Sequence, residues 1–306
     1  MASTPSIPFN LSKPEAGHLE QISPLLRRWV MPNPSPFTFT GTCAYVIGRN
    51  KVAVLDPGPG RAGEVEALLS ALTNESVEHI IVTHTHRDHS PGARVLQALT
   101  GAKVSGCARH WSARALASGE RNFLDASADH DHMPDREMQD GDVLSGAGYT
   151  LTAIATPGHT MNHLCFAFAE ENALFSGDHV MAWSTTIVAP PDGSMGAYMA
   201  SLEKLRGRAE TIFWPGHGGP VTDPQRFLRG LSGHRKMREA SILACVNDHF
   251  NCTVPWLVER LYEGLAPALK GAAALSVFAH LEDLSERGLI KTDGAPTLEG
   301  VYRPLS

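Results

Sequence analysis

Seven consecutive residues constrain this chain more than any others: Thr83-His84-Thr85-His86-Arg87-Asp88-His89. They follow the apolar run His79-Ile-Ile-Val82, which reads as a short buried strand. They lead into Ser90-Pro91-Gly92, a helix start with Ser at the N-cap and Pro at the first turn. In an extended segment alternate side chains point the same way, so His84 and His86 converge on one position. Asp88 and His89 sit where the backbone turns into the helix, within reach of a second. Neutral imidazole and carboxylate together suit zinc, with manganese or iron as alternatives.

The histidine count supports this reading. The chain carries 15 His but only 5 Cys in 306 residues, and histidine is the commonest metal ligand. Three further elements share a strand end, a glycine and then a ligand-type residue: Thr156-Pro-Gly-His159, Phe175-Ser-Gly-Asp178 and Trp214-Pro-Gly-His217. Glycine lets the chain turn tightly and lets another backbone approach closely. Each element alone is weak, since an isolated Pro-Gly-His is most often a surface turn. Together with the first cluster they specify a metal centre.

Around these motifs the chain reads as a mixture of strands and helices. Strands are expected at Phe37 to Thr40, Cys43 to Ile47, Val52 to Leu55, Tyr149 to Ala155, Leu164 to Ala169, Ala173 to Ser176 and Thr211 to Trp214. Helical spacing appears over Glu64 to Leu72, Ala93 to Leu99 and Met195 to Leu205. Residues 109–142 are polar, and helix and loop are expected there. Residues 1–36 hold seven prolines and read as an extended lead-in, leaving a catalytic domain at 37–234. From Arg235 the texture changes to three helices, Arg235 to Phe250, Val254 to Leu265 and Ala272 to Arg287, followed by two short strands. That outline is a winged-helix-like domain over 235–306.

Charge limits the partners. The net charge is −6 overall, with −5 over residues 1–234 and −1 over 235–306. A winged helix built to grip a duplex is basic, so this one reads as a packing or dimerisation unit. A small-molecule substrate is expected, and nucleic acid is the less favoured alternative. No stretch approaches the length of a membrane span, and five scattered cysteines without a CxxC pair fit free thiols. A cytoplasmic protein without a membrane partner is expected; a homodimer is compatible with the sequence.

The order Thr-His-x-His-x-Asp-His, Pro-Gly-His, Ser-Gly-Asp, Pro-Gly-His, with Leu55-Asp-Pro-Gly58 before it, resembles the metallo-β-lactamase superfamily over residues 37–230. The resemblance implies an α/β (α+β) fold: a four-layer αβ/βα sandwich, here with a C-terminal winged-helix-like domain. It also implies two divalent metal ions, zinc foremost. His84, His86 and His159 would bind one; Asp88, His89 and His217 the other; Asp178 would bridge them. Asp178 and Asp88 are the expected catalytic carboxylates, and Asp56 is expected to orient ligands. The zinc β-lactamases of the family carry Cys, or no bridging ligand, at the position of Asp178. An aspartate there implies the glyoxalase II, lactonase and phosphodiesterase branches and makes true β-lactamase activity unexpected. Only 38 residues separate Asp178 from His217, too few for the inserted domain of the messenger-processing nucleases.

The C-terminal part, with Tyr198-Met-Ala-Ser-Leu-Glu-Lys-Leu205, Trp214-Pro-Gly-His-Gly-Gly-Pro-Val221 and His234-Arg235, is similar to the β-lactamase-like protein 2 family. The expected activity is hydrolysis of a thioester, ester or lactone of a small molecule by a hydroxide shared between the ions. The alternative is a single-strand endoribonuclease or phosphodiesterase like animal members of that family. A redox iron site of the flavodiiron kind and a non-catalytic binding module rank lower. Smaller expectations follow from position. His163, His179 and Tyr198 are read as packing residues, His130 and His132 as solvent-facing, and Arg235 to Arg238 as a solvated face or interdomain contact. Ser184, Thr185 and Thr186 are read as lining the pocket.

Overall fold

The computed structural model describes residues 6–117 and 119–305. The first half of the chain builds a seven-stranded sheet in the order β1 (Leu19–Gln21), β2 (Leu26–Val30), β3 (Cys43–Arg49), β4 (Lys51–Leu55), β5 (Ser76–Val82), β6 (Lys103–Gly106) and β7 (Arg136–Glu137). Neighbours are antiparallel from β1 to β4 and parallel from β4 to β7. The parallel steps need crossovers. α1 (Glu64–Ala71) and α2 (Pro91–Thr100) supply the first two, burying Val65, Leu68, Ala93 and Leu96. α2 begins at N-cap Ser90 with Pro91 in its first turn and ends at Gly101, whose φ of 73° terminates it.

The second sheet runs β8 (Val143–Gly146), β9 (Tyr149–Ala155), β10 (Leu164–Phe168), β11 (Ala173–Gly177) and β12 (Ile212–Pro215), in the spatial order β12-β11-β10-β9-β8. Its strands are antiparallel except for the β11–β12 pair, which α3 (Met195–Arg206) connects. Side chains of both sheets meet in one core, with Tyr45, Val54, Ile80, Phe166, Phe168 and Phe175 at its centre. The other face of the second sheet packs against α3 and α4 (Pro224–Asp248) through Leu174, Leu202, Phe213 and Phe227. Helices, sheet, sheet and helices therefore form four layers, as expected. A third core, built on Val246, Leu257, Val277, Leu281 and Tyr302, joins α4, α5 (Val254–Leu261) and α6 (Lys270–Glu286). The ribbon β13 (Cys252–Thr253), β14 (Lys291–Thr292) and β15 (Val301–Arg303) completes the winged helix. No helix among the described residues is long and apolar enough to cross a membrane.

Four expectations are corrected. Residues 19–30 are not a lead-in but two strands of the main sheet, and β2 is wholly buried. Its pattern, Leu-Arg-Arg-Trp-Val, hides this because the charges are neutralised by other segments: Arg27 pairs with Glu75, and Arg28 with Glu20 on the neighbouring strand at 2.6 Å. Phe37 to Thr40 is a turn rather than a strand. Ser35 Oγ accepts the backbone N–H groups of Phe37 and Thr38, and Phe39 sits at φ 56° with its ring stacked 4.8 Å from Trp183. Residues 109–142 contain no α-helix among the described residues, only a short 3₁₀ turn at Asp125–Ser127. The boundary read at 234/235 falls inside α4, which crosses it without a break.

His280 on α6 gives the fold an acid limit. It is buried, neither ring nitrogen has a hydrogen-bond partner, and burial together with Arg235 and Arg238 holds its pKa down at about 3. The unfolded chain, with an ordinary histidine pKa near 6.5, then takes up this proton first. Stability is full above about pH 6.5 and falls below it by up to about 1.4 kcal/mol per unit from this residue. Urea unfolding at pH 7 and pH 5 is expected to show a loss about 2 kcal/mol smaller in His280→Leu than in wild type. Equal losses in the two proteins would refute the assignment.

Candidate metal centre

Five strand ends open on one edge of the sandwich. β4 and β5 run parallel, as do β11 and β12, and β9 shares their direction because it is antiparallel to β10, which is antiparallel to β11. Each strand delivers one motif beyond its last residue: Asp56 after β4, His84 to His89 after β5, His159 after β9, Asp178 after β11 and His217 after β12.

All seven expected donors come together. His86 Nδ1 lies 3.1 Å from His84 Nε2 and 3.0 Å from His159 Nε2. His217 Nε2 lies 3.2 Å from His89 Nε2, 3.2 Å from Asp88 Oδ2 and 3.3 Å from Asp178 Oδ2. Asp178 also approaches the first group, with Oδ2 at 3.7 Å from His159 Nε2. Two of the sets that result are His84, His86, His159 and Asp178, and beside them Asp88, His89 and His217; a third joins Asp56 to His84 and His89.

The spacing fits a metal. Ligand bonds of about 2.0–2.1 Å place neighbouring donors of a tetrahedral shell roughly 3.3 Å apart. One more observation points the same way: Asp178 Oδ1 is buried and has no hydrogen-bond partner. A buried carboxylate oxygen left bare is costly unless a cation meets it.

The far side of four of the five imidazoles is engaged, which orients those rings. Asp56, wholly buried, accepts the Thr83 N–H at Oδ1 (2.8 Å) and the Thr83 hydroxyl at Oδ2 (2.7 Å). With its proton committed to Asp56, Thr83 Oγ1 accepts from His84 Nδ1 at 2.9 Å. Asp56 Oδ2 also accepts from His89 Nδ1 at 3.0 Å. His159 Nδ1 donates to Ile187 O (2.6 Å) and His217 Nδ1 to Gly41 O (3.2 Å). Four rings thus turn an Nε2 lone pair toward the centre, while His86 presents Nδ1. Asp56, expected to orient ligands, hydrogen-bonds Thr83 and His89 in this arrangement. Thr83 completes it, and was missed because a threonine beside four ligand-type residues carries no signal of its own.

The electrostatics divide the cluster in the same way. Burial holds the pKa of His84 well below normal and that of His86 down at about 3, and neighbouring histidines add to both. These rings are neutral at pH 7 with lone pairs available. Burial also acts to lower His89 and His217, but the carboxylates outweigh it. Asp88 and Asp178 raise His89 well above its usual value, and His217 to about 9. Burial acts to raise Asp88 and Asp178, yet His89 and His217 keep both well below the usual carboxylate range. Protons on His89 and His217 stand where a cation would stand.

Neighbouring residues brace this arrangement. His163 accepts the Asp178 N–H at Nε2 (3.1 Å) while Thr156 meets its Nδ1 (2.8 Å), so it positions Asp178. Tyr198 is buried and donates to His179 O at 3.2 Å, and the His179 ring packs on it. All three were read as packing residues; His179 and Tyr198 pack so, while His163 also holds the Asp178 backbone N–H. His130 is exposed as expected, but His132 is not. It is buried, with Nε2 3.3 Å from Cys107 O, because its loop folds back over the end of β6.

A cavity of about 480 Å³ opens over the cluster. Its walls include Pro32, Phe37, Leu124, Met181 and Ile187, with Arg61 and Arg87 as its cations. Ser184, Thr185 and Thr186 do not line it. They face a second cavity, because Thr186 turns back to donate to Asp178 O at 2.7 Å.

The fold and this cluster define a class, that of a metal-dependent hydrolase. Residues 37–217 match the Metallo-beta-lactamase superfamily, and the chain belongs to it. Residues 253–297 match the beta-lactamase associated winged helix domain. A beta-lactamase-like protein 2 homolog of Caenorhabditis elegans is 29% identical over 289 residues, 92% of each chain. An atrochrysone carboxyl ACP thioesterase of Cryptosporiopsis sp. is 28% identical over 238 residues, 77% of this chain and 67% of its own. Among solved structures, a metallo-beta-lactamase family protein of Thermus thermophilus superposes with a TM-score of 0.74, at 24% identity, over 92% of this chain and 99% of its own.

Proposed function

We propose that the protein is a dinuclear metal-dependent hydrolase that cleaves an ester-like bond of a small molecule, a thioester foremost. The observation that carries this is the convergence of five imidazole nitrogens and two carboxylates on one small space, where Asp178 Oδ1 lacks a hydrogen bond and lies 3.5 Å from His89 Nε2. His84, His86 and His159 would hold one ion, Asp88, His89 and His217 the other, and Asp178 both. The nitrogen and oxygen donors suit zinc, with manganese or iron as alternatives. Two divalent ions bound there would supply a nucleophile at neutral pH and polarise the substrate carbonyl.

The chain's own residues supply the rest. Asp178 orients the attacking water and takes its proton at Oδ1. Asp88, two residues beyond His86 and partly exposed on the cavity floor, faces the incoming bond. Leu124, Met181 and Ile187 would hold an acyl chain and exclude water, while Arg61 and Arg87 draw anionic substrates toward the mouth. The thioesterase relative supports the thioester class. The walled cavity and the net charge of −6 support a small molecule over single-stranded RNA. Five free thiols, four of them buried, support the cytoplasmic reading.

The test is a panel of thioester, lactone, phosphodiester and single-stranded RNA substrates, with metal content measured on the same preparation. Thioester turnover is expected to exceed phosphodiester turnover about 100-fold in kcat/KM, with two ions per chain and no activity after chelation. RNA cleavage as the faster reaction, or activity in the chelated protein, would sink the proposal. One ion per chain at full activity would remove its dinuclear part.

A further inference from the structure

Arg235 lies on α4 where the catalytic body meets the C-terminal helices, and it is 3% exposed. Its guanidinium donates to Ser276 Oγ on α6 (3.1 Å) and to the Thr186 carbonyl, and it stacks over the Tyr198 ring at 5.3 Å. Nε has no partner. Among the described residues no carboxylate lies within ion-pair distance of it. Of the acids of α6, Glu282 is committed to Arg114 at 2.5 Å and Asp283 to Arg287 at 2.9 Å, while Glu286 is exposed. Its other ionisable neighbours, His234, Arg238 and His280, are cationic or neutral. A buried guanidinium with two neutral acceptors and no counter-charge is an expensive arrangement for a purely structural brace.

This arginine lines a cavity of about 230 Å³ between the loop Ser184–Ile187 and helix α6, with Ala272, Ala273 and Ser276 on the helix side. The cavity is the neighbour of the one over the metal cluster: Phe37 and Ile187 line both. Only two hydrogen bonds separate the arginine from the bridging residue. Arg235 donates to the Thr186 carbonyl, and the Thr186 hydroxyl donates to Asp178 O.

We propose that this second cavity binds an anionic group of the substrate on Arg235, so that the C-terminal module forms part of the substrate site. The proposal rests on the hydrolase reading above. The ligand chemistry is a carboxylate or phosphate carried a short distance from the scissile bond. Arg235 meets such a group with fixed, charge-assisted donors, and Phe37 and Ile187 line both cavities. On this view the winged helix is retained as the outer wall of a specificity pocket, in keeping with its lack of basic charge.

Four measurements with the full-length metal-loaded protein decide it. Glutaryl and pentanoyl thioesters of N-acetylcysteamine differ only by a terminal carboxylate on the acyl side. The pentanoyl thioester of coenzyme A places phosphates on the thiol side instead. One of the two anionic substrates is expected to be preferred over the neutral one by about ten-fold in kcat/KM, expressed in KM. In Arg235→Gln that preference falls to within about two-fold. Ala272→Trp, which keeps the arginine and fills the cavity, does the same and decides the matter should Arg235→Gln fail to fold. Absence of any preference in wild type, its survival in the variants, or an equal fall for charged and neutral substrates overturns the proposal. The last arm does not depend on turnover. Glutarate or inorganic phosphate is expected to raise the wild-type melting temperature saturably, and both variants to lose half or more of that shift. If no thioester is hydrolysed, the hydrolase reading fails while this arm still decides the anion site: no shift in wild type, or a shift intact in both variants, overturns it.

Discussion

Replacing Asp178 with alanine is expected to lower kcat/KM by roughly 10³-fold or more, about 4 kcal/mol of transition-state stabilisation. The carboxylate sits between the two donor groups, 3.3 Å from His217 Nε2 and 3.7 Å from His159 Nε2. On the proposed mechanism its loss removes a shared ligand, a negative charge and the proton acceptor together. Asp178→Asn keeps the shape and the contact with His163 through the backbone N–H but loses the charge, so it separates geometry from electrostatics. Both variants are expected to bind less metal than wild type, with an unchanged fold by circular dichroism, since the residue lies beyond the end of β11. Activity of Asp178→Ala within ten-fold of wild type would show that the cluster is not the reactive centre.

The second large effect comes from a residue with no side chain. Gly216 lies between β12 and His217, and its backbone does not need glycine's conformational freedom, yet a Cβ there would stand 2.4 Å from Asp178 Oδ1 and 2.6 Å from His89 Cε1. Both groups belong to the donor cluster, and an ordinary contact would require each to move by about 1 Å. Displacements of that size cost on the order of 10²-fold in rate. Gly216→Ala is therefore expected to lower kcat/KM about 100-fold and to loosen metal binding, although no donor has changed. Overpacking adds a stability loss of about 1–3 kcal/mol. Gly207→Ala is the control: it ends α3, its Cβ would make an ordinary 3.6 Å contact with Lys204 O, and its activity is expected to match wild type. Equal activities for the two alanine variants would show that the close approach at Gly216 has no bearing on catalysis.

Much of the site was legible because its information is local. His84 and His86 face the same way for the reason any alternate pair on an extended segment does. His159, Asp178 and His217 each stand one residue past a glycine near a strand end. The glycine of Ser-Gly-Asp has φ 47° and packs against His163, and that of the second Pro-Gly-His admits Asp178 and His89. In both cases the residue type reported a constraint imposed by the site itself. The strands β4, β5, β9, β11 and β12 were legible for a similar reason. Four of them are central and β12, though at the sheet edge, is mostly buried, so they appear as apolar runs bounded by turns.

What escaped depends on partners far along the chain. β2 reads as polar because Arg27 needs Glu75, 48 residues away, before it can be buried. His132 reads as solvent-facing until its loop closes over Cys107. Arg235 reads as one member of a basic run, yet it is the member that α6 and the loop after Asp178 enclose, while Lys236 stays exposed. The sequence by itself determined which residues gather at the strand ends, since periodicity and glycine placement act within a few residues. Only the tertiary structure decided which charges lose their water, because burial and counter-charge are set by segments that meet through the packed core.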